Sequence, residues 1–170
     1  MIAPHRLAGL LCAAVAGAVL LTALGSEWWA GLVPCALCLL ERDPYRLTIV
    51  LGLLAAALPA FAARPLFVLI ALVMLGGFGL GVVHVGVEQG FWPSPLPECA
   101  APHITGTTIA QRLAQMPAHP SKPCDSPTYL IPFLPLSMAA MNMLLGLAFA
   151  VAALIFVVRA PRPLSERSLA

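Results

Sequence analysis

Two cysteines three positions apart, Cys35 and Cys38, stand directly behind Pro34. A pair with this spacing serves thiol–disulfide chemistry, zinc binding or haem attachment. Haem attachment places His after the second Cys, and Leu39 is there instead. Structural zinc calls for a second close pair or for His ligands. The other outer cysteines, Cys99 and Cys124, are 25 positions apart, with His103 and His119 nearby. They look like a loop disulfide, either a static staple or an exchangeable bond that a partner can reach. His103 and His119 keep zinc open as the minor reading, behind thiol–disulfide chemistry. Proline favours the first helical position. Cys35 and Cys38 then sit at a helix N-terminus, where the dipole and free N–H groups stabilise a thiolate, the species that attacks disulfides.

Arg42 follows Cys35 and Cys38 at i+7 and i+4, on the same helix face. It places a fixed positive charge about 6 Å below Cys38, at 1.5 Å per residue. Such a cation favours the thiolate and suits the polar head of a ligand arriving through lipid. The competing reading is an interface anchor paired with Glu41 or Asp43. An arginine inside a membrane is costly, and its register with the cysteines favours the functional role. Tyr45 and Arg46 read as interface anchors, and Pro44 as a kink. Cys12, alone in an apolar run, reads as a small buried hydrophobe.

The elements that carry these residues are dictated by composition. The chain has 170 residues, 61% apolar and 9% charged. Soluble domains carry about 25% charged residues. So few charges cannot cover a water-facing surface, and lipid is the natural solvent. A net charge of +2 without a basic run gives no footprint for nucleic acid. Apolar runs cover Leu7–Gly25, Leu47–Ala63 with a mixed lead-in from Leu32, Leu66–Val87 and Leu136–Val158. Crossing a hydrocarbon core takes roughly 20 such residues. Backbone groups in lipid must bond within the segment, so these runs predict helices. The expectation is an all-α membrane protein: one domain over 1–170, a four-helix bundle with spans at about 7–25, 36–58, 66–87 and 137–158. The first run exceeds a signal-peptide core of roughly 7–15 residues and is read as a retained helix.

With the N-terminus inside, the inner segments hold Arg6, Arg64, Arg159, Arg162 and Arg167 against Glu166 alone. That asymmetry places both termini in the cytoplasm and the cysteine-bearing loops outside. Trp28, Trp29, Phe91 and Trp92 fall at outer ends, as an aromatic belt does. A short outer loop is expected near Gly25–Pro34, a tight inner turn at Pro59–Pro65, and a long outer loop over 88–135. That loop holds ten of the seventeen prolines and should be mostly irregular. Thr105–Met116 is the exception. Thr105, Thr107 or Thr108 is placed to cap a short helix bearing Ile109, Leu113 and Met116 on one face. Gly77 with Gly81, and Ala13 with Gly17, are small pairs that let helices approach. His84 and Glu88, near the outer end of the third span, have two readings: the border of a pocket, or a packed or solvated role, which is favoured. Asn142 reads as helix–helix glue.

Pro34-Cys35-Ala36-Leu37-Cys38-Leu39-Leu40-Glu41-Arg42 resembles the disulfide bond formation protein B (DsbB) family, with a Cys pair and Glu-Arg opening the second of four helices. Trp92-Pro93-Ser94-Pro95 ahead of Cys99, the second loop Cys, and Leu136-Ser137-Met138-Ala139-Ala140-Met141-Asn142 extend the resemblance over nearly the whole chain. It implies a periplasmic loop and a bacterial inner-membrane location. It implies a quinone-dependent oxidoreductase that reoxidises a soluble DsbA-like dithiol oxidase. Electrons would pass through Cys99/Cys124 and Cys35/Cys38 to ubiquinone or menaquinone, with Arg42 at the quinone. By the resemblance, Cys38 is the quinone-side sulfur, Cys35 exchanges with the loop pair, and Cys99 meets the partner. A DsbA-type partner sits near about −120 mV, beyond the reach of glutathione-range acceptors. Two other readings are a vitamin K epoxide reductase-like enzyme, whose loop cysteines precede the CxxC, and a non-enzymatic membrane subunit with structural disulfides.

Overall fold

The computed structural model describes residues 3–99, 107–114, 122–131 and 133–159. Helices are α1 (Pro4–Ala30), α2 (Ala36–Leu40), α3 (Asp43–Ala57), α4 (Ala60–Glu88), α5 (Ile109–Ala114) and α6 (Met138–Arg159), with a 3-10 turn at Pro97–Cys99. Among the described residues there is no strand. Three helices, α1, α4 and α6, are long and apolar enough to cross a membrane. Their 27, 29 and 22 residues correspond to about 40, 44 and 33 Å at 1.5 Å per residue. Their outer faces carry Leu11, Leu21 and Leu72, all more than half exposed. An apolar exterior of that extent is stable against lipid and not against water.

The expected continuous helix over 36–58 is two helices instead. α2 stops at Leu40, Glu41 and Arg42 form a turn, and α3 restarts at Asp43 with Pro44 in its first turn. The cause is Pro44. It has no N–H to give to the Leu40 carbonyl, and its ring crowds that carbonyl. Two further boundaries shift. α1 does not end near Gly25 but runs on to Ala30, closing at Gly31 in the left-handed region (φ 64°), with Leu32 N–H returning to Ser26 O. Glu27, Trp28 and Trp29 are thus helical. The inner turn is shorter than Pro59–Pro65, because α4 begins at Ala60 and absorbs Pro65. The loop helix starts at Ile109, with Thr108 Oγ accepting from Gln111 N–H and Gln111 Oε1 accepting from the Thr107 and Thr108 amides. Thr105 and Met116 lie outside the described residues.

The helices pack in the order α1 on α3, α3 on α4, α4 on α6. Ala16, Tyr45, Ala55, Phe67, Ile70, Met74, Ala150 and Ala153 form the core. Phe67 and Phe156 join α4 to α6 with ring centroids 4.4 Å apart. Close approach depends on missing side chains. A Cβ on Gly9 would lie 2.5 Å from Gly52 O, and one on Gly52 would lie 2.7 Å from Gly9 O, so α1 and α3 cross backbone to backbone. A Cβ on Gly81 would meet Met143 of α6 at 2.8 Å, while Gly77 faces Pro44. Gly17, paired with Ala13 in sequence, has nothing within 4 Å of such a Cβ.

Candidate redox site

The site forms where residues of α2 converge with the C-terminal ends of α1 and α4 and the N-terminal end of α6. Cys35 caps α2: its Sγ accepts from Cys38 N–H at 3.2 Å. The two sulfurs are 2.7 Å apart. Cys35 is buried and Cys38 half-buried. On the loop side, Cys35 packs in one cluster with Leu37, Val87 and the Cys99–Cys124 disulfide. Cys124 N–H donates to Cys99 O, which holds the two loop strands together.

The loop is aimed there by the end of α4. Gly90 turns the chain at φ 72°, and Phe91 N–H returns to Gly86 O. The Trp92 ring then lies on Gly86, where a Cβ would be 1.9 Å from Cζ2, and its Nε1–H donates to Val83 O at 3.0 Å. This folding-back carries Pro97–Cys99 against α2. The sequence left two readings of the loop bond, a static staple and an exchangeable bond that a partner can reach. Cys99 is 4% and Cys124 1% exposed. Access to Cys99 runs through a groove lined by Gly90, Phe91, Trp92, Pro93 and Asp125. The burial follows from the apolar cluster that Leu96, Val87 and Leu37 build around the disulfide.

On the opposite side, Cys38 lines a cavity of about 190 Å³ between α1 and α6. Its walls are apolar: Val19, Leu20, Leu130, Met141 and Leu145. Its polar lining comes from Glu41, Arg42, Tyr45 and Asn142. Arg42 no longer continues the helix of Cys38, since the turn at Glu41–Arg42 intervenes, yet both face the same cavity. Its guanidinium pairs with Glu27 in the last turn of α1, and not with Glu41 or Asp43. Asp43 pairs with Arg46 at the exposed surface. Tyr45, expected as an interface anchor, is buried and donates to Asn142 Oδ1 at 2.7 Å, linking α3 to α6.

The residue the sequence reading ranked too low is His84, for which a packed or solvated role was favoured over the border of a pocket. It is 2% exposed and does more than pack. Its Nε2 lies 3.5 Å from Cys35 Sγ and its Nδ1 3.0 Å from Glu41 Oε1. A carboxylate on Nδ1 holds that nitrogen protonated and leaves the Nε2 lone pair facing the thiol. One signal was available: an ionisable residue inside an apolar span is a functional candidate by default. Glu88 accepts from Ser137 Oγ at 2.5 Å and ties α4 to the start of α6. Cys12 is half-buried within α1 among core residues.

A dithiol pair thus bridges a disulfide-bearing loop and a polar-tipped apolar cavity. Comparison with curated proteins and with solved structures returns no significant match. Comparison with protein families returns one described as "Disulfide bond formation protein DsbB", matched over residues 5–156. The chain belongs to the DsbB family, a family of membrane disulfide oxidoreductases.

Proposed function

We propose that this protein reoxidises a soluble thioredoxin-fold dithiol oxidase of the DsbA type and delivers the electrons to a membrane quinone. The observation that carries this reading is the position of the Cys pair. Cys35 packs with the loop disulfide, and Cys38 opens on the cavity that holds Arg42. The partner's thiolate attacks Cys99, breaking Cys99–Cys124. In the oxidised protein Cys35 and Cys38 are also a disulfide. The freed Cys124 thiolate attacks Cys35 and breaks Cys35–Cys38. The partner's second thiolate then releases Cys99, and Cys99 displaces Cys35 from Cys124. That re-forms the loop disulfide and leaves Cys35 and Cys38 as thiols. The partner departs as its disulfide, so two electrons and two protons now reside on the Cys pair.

The cavity fits a quinone by its donor set. Arg42 offers a cationic hydrogen-bond donor to a carbonyl oxygen, and Leu20, Met141 and Leu145 offer an apolar surface to a ring and tail. A quinone held there, ubiquinone or menaquinone, supplies the two-electron acceptor. The chain does the rest. His84 Nε2 takes the Cys35 proton, Glu41 stabilises the resulting imidazolium, and Glu27 fixes the direction of Arg42. Re-forming the Cys35–Cys38 disulfide gives up the pair's two electrons and two protons, which a bound quinone would take up as quinol, and returns the protein to its oxidised state.

This reading treats residues 1–170 as one integral domain of the bacterial inner membrane. α2 and α3 together supply the second of four crossings, both termini are cytoplasmic, and the 88–135 loop is periplasmic. The positive-inside asymmetry supports that orientation. The test is redox trapping in intact membranes. With quinol reoxidation blocked, thiol alkylation should find Cys35, Cys38, Cys99 and Cys124 accumulating as thiols. Loop cysteines that remain oxidised under that block would mark a static staple and end the proposal.

A further inference from the structure

The electron-transfer reading uses Cys35, Cys38 and His84 one at a time, yet the fold places them as a group. Their ligand atoms all lie within 4.8 Å of one another. Two thiolates and a neutral imidazole are the donor set for a borderline-to-soft divalent cation, Zn²⁺ above all. We propose that the reduced protein binds one Zn²⁺ through Cys35 Sγ, Cys38 Sγ and His84 Nε2, and that the disulfide form does not.

Three features carry this. First, the geometry is close to a metal site. With Zn–S of about 2.3 Å and Zn–N of about 2.0 Å, a tetrahedron has an S···N edge of about 3.5 Å. The Cys35 Sγ–His84 Nε2 separation is 3.5 Å. The S···S edge needs about 3.8 Å, and the present 2.7 Å is the one dimension that must open. Cys38 is half-buried beside a cavity, so its side chain has room to turn outward. Second, the imidazole is already arranged as a ligand. Metal-bound histidines hand their other ring nitrogen to a carboxylate, and Glu41 stands on Nδ1 at 3.0 Å. Third, the charges balance. Zn²⁺ binding to the two thiols releases two protons to solvent and leaves a neutral Zn(thiolate)₂ unit, with no oxidant or reductant consumed. The remaining charges nearby, Glu41 and the Arg42–Glu27 pair, are already partnered.

The sequence pointed away from metal because Cys99 and Cys124, 25 positions apart, supply no second close pair. His84 is 49 positions from Cys35 and joins it only through the packing of α4 against α2–α3. The functional consequence is a redox-gated block. Zn²⁺ caps the dithiol before its electrons are passed on, and oxidation to the disulfide removes both sulfur ligands.

The test titrates Co²⁺, a spectroscopic stand-in for Zn²⁺, into quinone-free, full-length protein in detergent. Phosphine-reduced wild type should take up one Co²⁺ per chain with a thiolate-to-cobalt absorption band that Zn²⁺ abolishes. The fully oxidised protein should show no band. Reduced Cys38→Ser, which keeps both loop thiols, should lose it. His84→Ala should weaken binding at least 10-fold, and Glu41→Gln, which keeps every ligand, about 10- to 100-fold. Equal uptake by reduced and oxidised protein, or an unchanged band in Cys38→Ser or His84→Ala, overturns the site. Should His84→Ala not fold, Glu41→Gln and the reduced-against-oxidised comparison still decide. The readout is binding, so a protein that binds Co²⁺ but reduces no quinone would keep this site and lose the electron-transfer reading.

Discussion

At the scale of single residues, the chemistry rests on partners that the chain brings together from far apart. Cys35, Cys38 and Arg42 are legible in sequence because they fall within one short stretch. Glu27 and His84 are not, because each meets its partner only after helices pack: Glu27 across α1 and α3, His84 across α4 and α2. Arg42 follows from this with a sharp expectation. Arg42→Ala should raise the quinone KM about 10-fold, near 1.4 kcal/mol, while the KM for the dithiol partner stays unchanged. Steady-state kinetics with each substrate varied in turn checks it, and an unchanged quinone KM would leave Arg42 an anchor. Glu27→Gln removes a charged partner from a pair whose side chains are only 11% and 21% exposed. A charge-assisted hydrogen bond of that kind contributes about 2 kcal/mol. Glu27→Gln should therefore lower the melting temperature and raise the quinone KM in the same direction as Arg42→Ala.

At the scale of elements, hydropathy located the helices but misjudged their ends. It placed one span over 36–58 and read Pro44 as a kink in it, where the chain instead breaks at Glu41–Arg42 into two helices. It ended α1 at Gly25, where the composition becomes polar, while the backbone continues to Gly31. Boundaries of this kind are set by backbone hydrogen bonds and positive φ, to which average hydrophobicity is blind. The helix crossings make a direct prediction. Gly52→Val puts side-chain atoms into the Gly9 carbonyl and should destabilise the protein by about 1–3 kcal/mol. Gly17→Ala, with open space around its Cβ, should be neutral or slightly stabilising. Thermal melts in one detergent compare the two, and equal effects would contradict the α1–α3 crossing. Gly86→Ala displaces the Trp92 ring that folds the loop back. The Cys99–Cys124 disulfide should then react several-fold faster with a water-soluble dithiol, as thiol trapping over time would show.

At the scale of the whole molecule, the proposed function makes the bundle a conduit with two mouths. One is the groove beside Cys99, rimmed by Phe91 and Trp92. The other is the apolar cavity at Cys38, open between α1 and α6. The small buried share of α1 and α6, 17% of each apolar window, fits helices whose remaining surface faces lipid. That architecture was legible from composition alone, because so few charges leave no alternative solvent. The burial of the loop disulfide was not, because it depends on how one tryptophan seats on one glycine. The orientation is testable apart from the chemistry. A reporter fused after Ala170 should behave as cytoplasmic, and an external signal there would invert the conduit.

The central claim is that electrons from a soluble dithiol leave the protein through Cys38 into a quinone. The direct measurement uses purified protein in lipid, a reduced thioredoxin-fold dithiol and a quinone, with quinone absorbance followed anaerobically. Wild type should reduce one quinone for each dithiol oxidised, and Cys38→Ser none. Absence of quinone reduction by wild type, or full activity in Cys38→Ser, would contradict the account.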